Sequence, residues 1–310
     1  MKWNKIIAIL GVTSLLMGLC GCAVNQAPET AEITKETVEV EEEARLIATS
    51  YATVQIFDLL DIDLIARAET ARELSPKYAE LPIVGTAMAP DAEAMLMMEP
   101  TNVIGPDTLI EEIKPKYDAA GLPYTFIDLQ SIEGLYESVT MIGEAYGKAE
   151  EAAAIVADYE QSMEEFYASI ADVEAPRVLV LMGLPGAYIG CTPNSYAGSL
   201  VEIAGATNVI QVDTEENFVS WNTEELMALD PDMILLTAHA LPDMVMDMFT
   251  NEFATNDIWK NFRAVEEGHV YALDYTTFGM SATFNWTEAF DSLTEIFYEG
   301  TYESFIDEEE

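Results

Sequence analysis

Twice along this chain, short β-branched runs alternate with helical stretches, and this alternation restricts the fold more than any other feature. In the first half, "RLIATS" (45–50) reads as a strand, and "YATVQIFDLLD" (51–61) as a helix with Val54, Phe57 and Leu60 on one side. "IDLIARA" (62–68) and "LPIVGTA" (81–87) read as strands, "DAEAMLMME" (91–99) as a helix closed by Pro100, and "TNVIG" (101–105) as a strand. "DTLIEEIKPKYDAAG" (107–121) is predicted helical up to a break at Pro115, and "YTFIDL" (124–129) is a further strand. The rhythm restarts at "RVLVLMG" (177–183), with a helix over "YAGSLVEIAG" and a short strand near "TNVIQV". Strands alternating with helices call for parallel sheets with helices on their faces.

Between the two halves, apolar or small residues recur every three or four positions from Leu135 to Ile170. The spacing predicts one amphipathic helix of about ten turns, on the order of 50 Å long. The expected fold is therefore α/β: two Rossmann-like lobes with parallel-rich sheets, joined by one long α-helix, with a ligand cleft between them. The expected boundaries are a leader over 1–21, an acidic flexible tether over 22–44, an N-terminal lobe over 45–134, a connecting helix over 135–172, and a C-terminal lobe with an acidic tail over 173–310.

An internal echo accompanies the two halves. "DAEAMLMMEPTNVI" (91–104) and "NTEELMALDPDMIL" (222–235) align without gaps, each with a glutamate third, an apolar helix, an acid-proline stop and a strand. Any helix-to-strand connection shares part of this pattern, but the common register favours duplication of one lobe.

The leader combines "MKWNK" with fourteen mostly apolar residues, shorter than the roughly 20 of a spanning helix. It ends in "LCGC", the lipobox pattern of bacterial lipoproteins, which makes Cys22 the acylated residue; Cys20 has poorer flanks. The expected location is the extracellular face of the cell membrane, lipid-anchored. With Cys22 acylated, Cys191 is left without a partner, and no disulfide framework follows.

The chain carries 13 Lys plus Arg against 56 Asp plus Glu, a net charge of −43. Such a surface repels phosphate backbones and anionic lipid, so nucleic acid is excluded as a partner. Half of the residues are apolar, enough for a substantial core.

In open α/β sheets, ligands lie beyond the carboxyl ends of the strands. Met88 follows "LPIVGTA" and His239 follows "MILLTA", one in each lobe. A thioether and an imidazole facing each other are the axial pair of a six-coordinate haem, held non-covalently because no C-x-x-C-H occurs. Spacing alone leaves the alternatives open, since a lone Met commonly fills core gaps and a lone His commonly sits in a loop. His269 reads as a solvated strand-end residue, Cys191 as an inert buried thiol, and Trp221, Trp259 and Trp286 as packing residues.

Lipobox, acidic tether, two lobes and a rigid connecting helix resemble the helix-linked (class III) ABC-transporter substrate-binding lipoproteins. Within that class the chain is similar to the haem-receptor lipoproteins of Gram-positive iron-regulated haem uptake. The likeness is densest in "VGTAMAPDAE", "SYAGSLVEIAGATNVI" and "AHALPDMVMDMFTNEFATNDIWKNFRAVEEGHVYAL". The resemblance implies a haem receptor and no catalysis, with Met88 and His239 as axial ligands of haem b, the transported ligand, so that iron is the bound metal. It also implies a monomer serving ABC permease subunits, loaded from an upstream haem-donor surface protein. Glu93 and Glu224, matched in the echo, would dock on arginines of the two permease subunits.

Two haem propionates would have to be held with few basic residues. Helix N-termini supply N–H groups without lysine. The candidates are Ser50 and Tyr51 at one helix start, Ser195 at another, and Arg67 as the cationic helper. The rival cargoes are an iron-siderophore or a corrinoid; an anionic siderophore calls for several arginines in the cleft. A haem-dependent oxidoreductase is the rival of another class, and a filled axial pair argues against it.

Overall fold

The computed structural model describes residues 44–170, 175–213, 216–239 and 241–306. The leader, Cys22, the tether up to residue 43 and the acidic end 307–310 lie outside the described residues.

The first half contributes β1 (Leu46–Ala48), α1 (Tyr51–Leu59), β2 (Ala66–Arg67), α2 (Pro76–Ala79), α3 (Ala92–Met97), β3 (Asn102–Pro106), α4 (Ile110–Ala120) and β4 (Tyr124–Ile127). Its four strands form a parallel sheet in the order β2-β1-β3-β4. Alternate residues supply opposite faces. Leu46, Ala48 and Ile104 enter one core, while Ile47 and Val103 enter another beneath α3 and α4.

α5 (Ile132–Ala145) and α6 (Ala149–Ile170) follow, then β5 (Arg177–Leu184), β6 (Ala187–Cys191), α7 (Tyr196–Ile203), β7 (Thr207–Asn208) and β8 (Phe218–Val219). The chain continues through α8 (Thr223–Met227), β9 (Met233–Ala238), α9 (Pro242–Thr255), α10 (Arg263–Glu266), β10 (Val270–Ala272) and α11 (Trp286–Thr294). The second sheet runs β10-β9-β5-β6-β8, with β7 also on β5. β9 and β10 are parallel to β5's direction, whereas β6 and β8 pair antiparallel. β5 is buried from Val178 to Gly183, as expected of a central strand covered on both faces. Val178, Val180 and Met182 join the core shared with the first half, and Leu179 and Leu181 face the other way.

The echo is structural. Asp91 caps α3 through the Ala94 amide, and Asn222 caps α8 through the Glu225 amide. The acids before the stopping prolines, Glu99 and Asp230, both adopt left-handed backbone, at φ 47° and 48°.

Three expectations are corrected. The single connecting helix is two: α5 and α6 form an antiparallel hairpin through Tyr146–Lys148, turning at Gly147 (φ +74°). Tyr136 stacks on Tyr159 at 3.9 Å, and a Cβ at Gly143 would collide with that of Ala152. The three-residue connection nearly preserves the helical step, so the apolar spacing runs straight across it. α6 alone, about 33 Å long by its 22 residues, reaches from α5 to α11, where Phe166 stacks on Phe290.

α4 also passes through Pro115 without stopping. The proline is exposed, so the carbonyl it leaves unpaired one turn earlier faces water. "LPIVGTA" is no strand; it bridges β2 only at Arg67↔Ile83 before the chain turns back at Gly85. "AYIGC", to which the sequence pattern assigns no element, forms β6, a hairpin on β5 through Pro185–Gly186 with Gly186 at φ +83°.

Candidate functional site: an interlobe cavity

Most of the wall of one cavity is built at the carboxyl ends of parallel strands, where the sheet leaves room for a ligand, and a tight turn carrying Met88 adds the rest. β1 leads to Ser50, Tyr51 and Ala52; β2 to Glu69, Thr70, Ala71 and Arg72; β3 ends in Pro106 and leads to Thr108. From the other half, β9 leads to His239, and β10 to Tyr275 and the Gly279–Thr283 stretch. The cavity measures about 310 Å³ and its lining includes both Met88 and His239. The fold thus brings together the two side chains singled out in the sequence.

Met88 sits at the tip of a tight turn. Thr86 and Ala89 exchange both amide-to-carbonyl hydrogen bonds at 3.2 Å, and the Asp91 amide closes the base on the Val84 carbonyl at 2.9 Å. Gly85 (φ +85°) permits the turn; a Cβ there would meet the Ala89 oxygen and lie 2.9 Å from the Asp91 nitrogen. Met88 itself is 57% exposed.

His239 is held differently. Its amide extends the β9–β5 pairing by donating to the Gly183 carbonyl at 3.1 Å. α9 lies directly over Gly183, with Val245 and Phe249 occupying the space a side chain would need. Leu241, the N-cap of α9 ahead of Pro242, adopts the left-handed backbone at φ +50°, a strained conformation for a branched side chain. Among the described residues the imidazole has no hydrogen-bond partner, and burial pushes its pKa below the ordinary histidine value. At neutral pH the ring is uncharged, with a lone pair available to a metal.

Ser50 and Tyr51 line the cavity at the start of α1. The Ser50 oxygen accepts from the Thr53 amide at 3.1 Å, fixing the helix start at the cavity wall. Arg67 and Ser195 do not line it. Arg67 is buried, and its guanidinium donates to the carbonyls of Tyr78 (2.8 Å), Ala68 (3.0 Å) and Ala79 (2.6 Å). It staples β2 to α2, so its position at a strand end is a structural one. Ser195 caps α7 through the Gly198 amide at 3.1 Å and donates to the Thr192 carbonyl at 2.8 Å, fully buried. The cation in the cavity is Arg72, in an irregular segment whose lack of periodicity conceals it in the sequence.

Glu93 and Glu224 are exposed in the first turns of α3 and α8. His269 is half-exposed, 3.6 Å from Glu267, just before β10. Cys191 is buried and desolvation pushes its thiol up to about 12, so it is no nucleophile at neutral pH. Trp259 and Trp286 are buried, bonded to Glu252 (3.1 Å) and Tyr136 (3.0 Å), and neither lines the cavity.

Two α/β lobes with a cleft at their strand ends are the architecture of a substrate-binding protein. The chain belongs to the periplasmic binding protein family, whose sequence model matches residues 46–277, and it is a binding protein, not an enzyme. It is 33% identical, over 96% of its length and 99% of the relative's, to the high-affinity heme uptake system protein IsdE of Staphylococcus aureus (strain bovine RF122 / ET3-1). Two crystal structures superpose with a TM-score of 0.79. One is an ABC transporter substrate-binding protein from Listeria monocytogenes EGD-e, at 35% identity, covering 83% of this chain and 100% of that one. The other is S. aureus IsdE complexed with heme, at 34% identity, covering 83% and 99%.

Proposed function

We propose that this protein is a haem receptor of an ABC importer, held on the extracellular face of the membrane by lipid on Cys22. The observation that carries the reading is the convergence of Met88 and His239 on one cavity between the lobes. A neutral imidazole and a thioether satisfy both axial positions of a haem iron, leaving none open for oxygen or peroxide. That suits carriage rather than catalysis. Likeness to a haem uptake protein of known haem complex supports the same cargo.

The arginines speak against an anionic siderophore. Of the five in the chain, Arg45, Arg67 and Arg177 donate to backbone carbonyls, and Arg263 pairs with Asp230 and Asp232. Only Arg72 lines the cavity. Delivery would use the exposed Glu93 and Glu224, one on each lobe, against a twofold permease.

Titration of the soluble domain with haem, followed by absorption, tests the cargo. A one-to-one complex with a low-spin, six-coordinate spectrum in the ferrous state is expected. His239→Ala should lose that spectrum, because His269 lies outside the cavity lining. A wild-type spectrum in His239→Ala would refute the assignment.

A further inference from the structure

We propose that the face of α3 carrying Glu93 docks through an apolar anchor as well as a charge. Leu96 and Met97 seat in an apolar recess beside a cation on one permease subunit, and the matching face of α8 offers the charge alone. The inference rests on the delivery reading of Glu93 and Glu224 and specifies how the two lobes differ in docking.

Met97 is the most exposed large apolar side chain among the described residues, at 86%, and Leu96 beside it is 48% exposed. Glu93 stands three residues before Leu96 and four before Met97 on α3, so the carboxylate and the two apolar side chains share one side of the helix. The core does not need them. Met95 is the residue that α3 sends inward, fully buried with Ile47, Val84 and Val103. Nor is the face loose. Asp91 caps the helix start through the Ala94 amide at 3.0 Å, and the Arg45 guanidinium holds the far end by the Met98 and Glu99 carbonyls at 2.6 and 3.1 Å. A surface already ordered loses little entropy when a partner covers it.

The echo supplies the comparison. In the gapless register Met95, Leu96, Met97 and Met98 match Leu226, Met227, Ala228 and Leu229. Leu226 is buried, Met227 and Leu229 pack against the core that holds Trp259 and Phe262, and the exposed position falls to Ala228. The charge is thus duplicated and the apolar anchor is not. Exposed ion pairs contribute little to affinity, whereas burying a whole methionine or leucine side chain contributes more. Charge selects the occupant. A second copy of this chain, with 56 acids against 13 bases, is repelled, and so is an anionic bilayer. A partner that pairs with Glu93 and buries Met97 brings a cation beside an apolar wall, and a twofold permease presents the same recess to each lobe.

The test titrates the purified haem importer, in nanodiscs of phosphatidylcholine, with haem-loaded receptor carrying Cys22→Ser, so that only protein contacts are read. Met97→Ser should weaken binding about 10-fold, Met97→Leu should retain it, and Ala228→Ser should change nothing, with the haem spectrum unaltered throughout. Adding Ala228→Met to Met97→Ser should recover most of the loss, because the anchor then enters the recess of the other subunit. Equal affinity of Met97→Ser and its parent would overturn the anchor, as would a graft that recovers nothing. Binding to protein-free nanodiscs, or self-association in sedimentation, that Met97→Ser abolishes would assign the face to a bilayer or a second copy and overturn the permease as occupant. A parent receptor that does not bind the importer at all would instead refute the delivery reading.

Discussion

Arg45 and Arg177 perform the same task in the two halves of the molecule. Arg45, just before β1, donates to the Met98 carbonyl at 2.6 Å, at the end of α3. Arg177, opening β5, donates to the Leu229 carbonyl at 2.6 Å, just past α8. Their own carbonyls accept from the amides of Thr101 and Asp232, the residues that follow the two matched prolines. The duplication legible at 91–104 and 222–235 therefore extends to a long-range contact in each lobe. Arg45→Ala and Arg177→Ala should each destabilise folding by about 1.5–3 kcal/mol at most, the range for a hydrogen bond to a charged group. Lysine at either site should restore little, because one ammonium lacks the fork. Chemical denaturation of the four variants checks both statements.

Gly85 governs Met88 from three residues away. Gly85→Ala sets a Cβ against the Ala89 oxygen with φ at +85°, so the turn must move. Haem affinity should fall by roughly 10-fold or more, approaching that of Met88→Ala, while far-UV circular dichroism stays unchanged. An unaltered haem titration in Gly85→Ala would show that the turn does not position the thioether.

Removal of both exposed glutamates should separate cargo binding from delivery. Glu93→Ala combined with Glu224→Ala is expected to leave the haem spectrum intact and to impair haem import. Truncating a desolvated interfacial charge costs roughly 2–5 kcal/mol. Charge reversal to lysine at both positions should abolish import despite the many neighbouring acids. Normal import at equal surface abundance would exclude these two positions from docking.

Cys22→Ser should shift the protein from the membrane fraction to the medium. Two acyl chains give stable attachment where one is marginal, so release should be nearly complete. Fractionation of cells carrying Cys22→Ser or Cys20→Ser measures this; retention of the first and loss of the second would move the anchor to Cys20.

Local periodicity in the sequence determined most of the elements, and the alternation of strands and helices determined a parallel-rich α/β architecture in two halves. β5 and β9 announced themselves because central parallel strands are apolar on both faces. The echo at 91–104 and 222–235 was visible because caps, prolines and apolar register are short-range signals. The place of Met88 and His239 on the cavity wall was legible because each stands just past an apolar run. Only the tertiary structure decided which side chains share the cavity. Arg67 and Arg72 are both arginines near a strand end, yet one spends its donors on three backbone carbonyls and the other faces the cleft. The hairpin of α5 and α6 was equally hidden, because a three-residue turn preserves the helical step that periodicity detects.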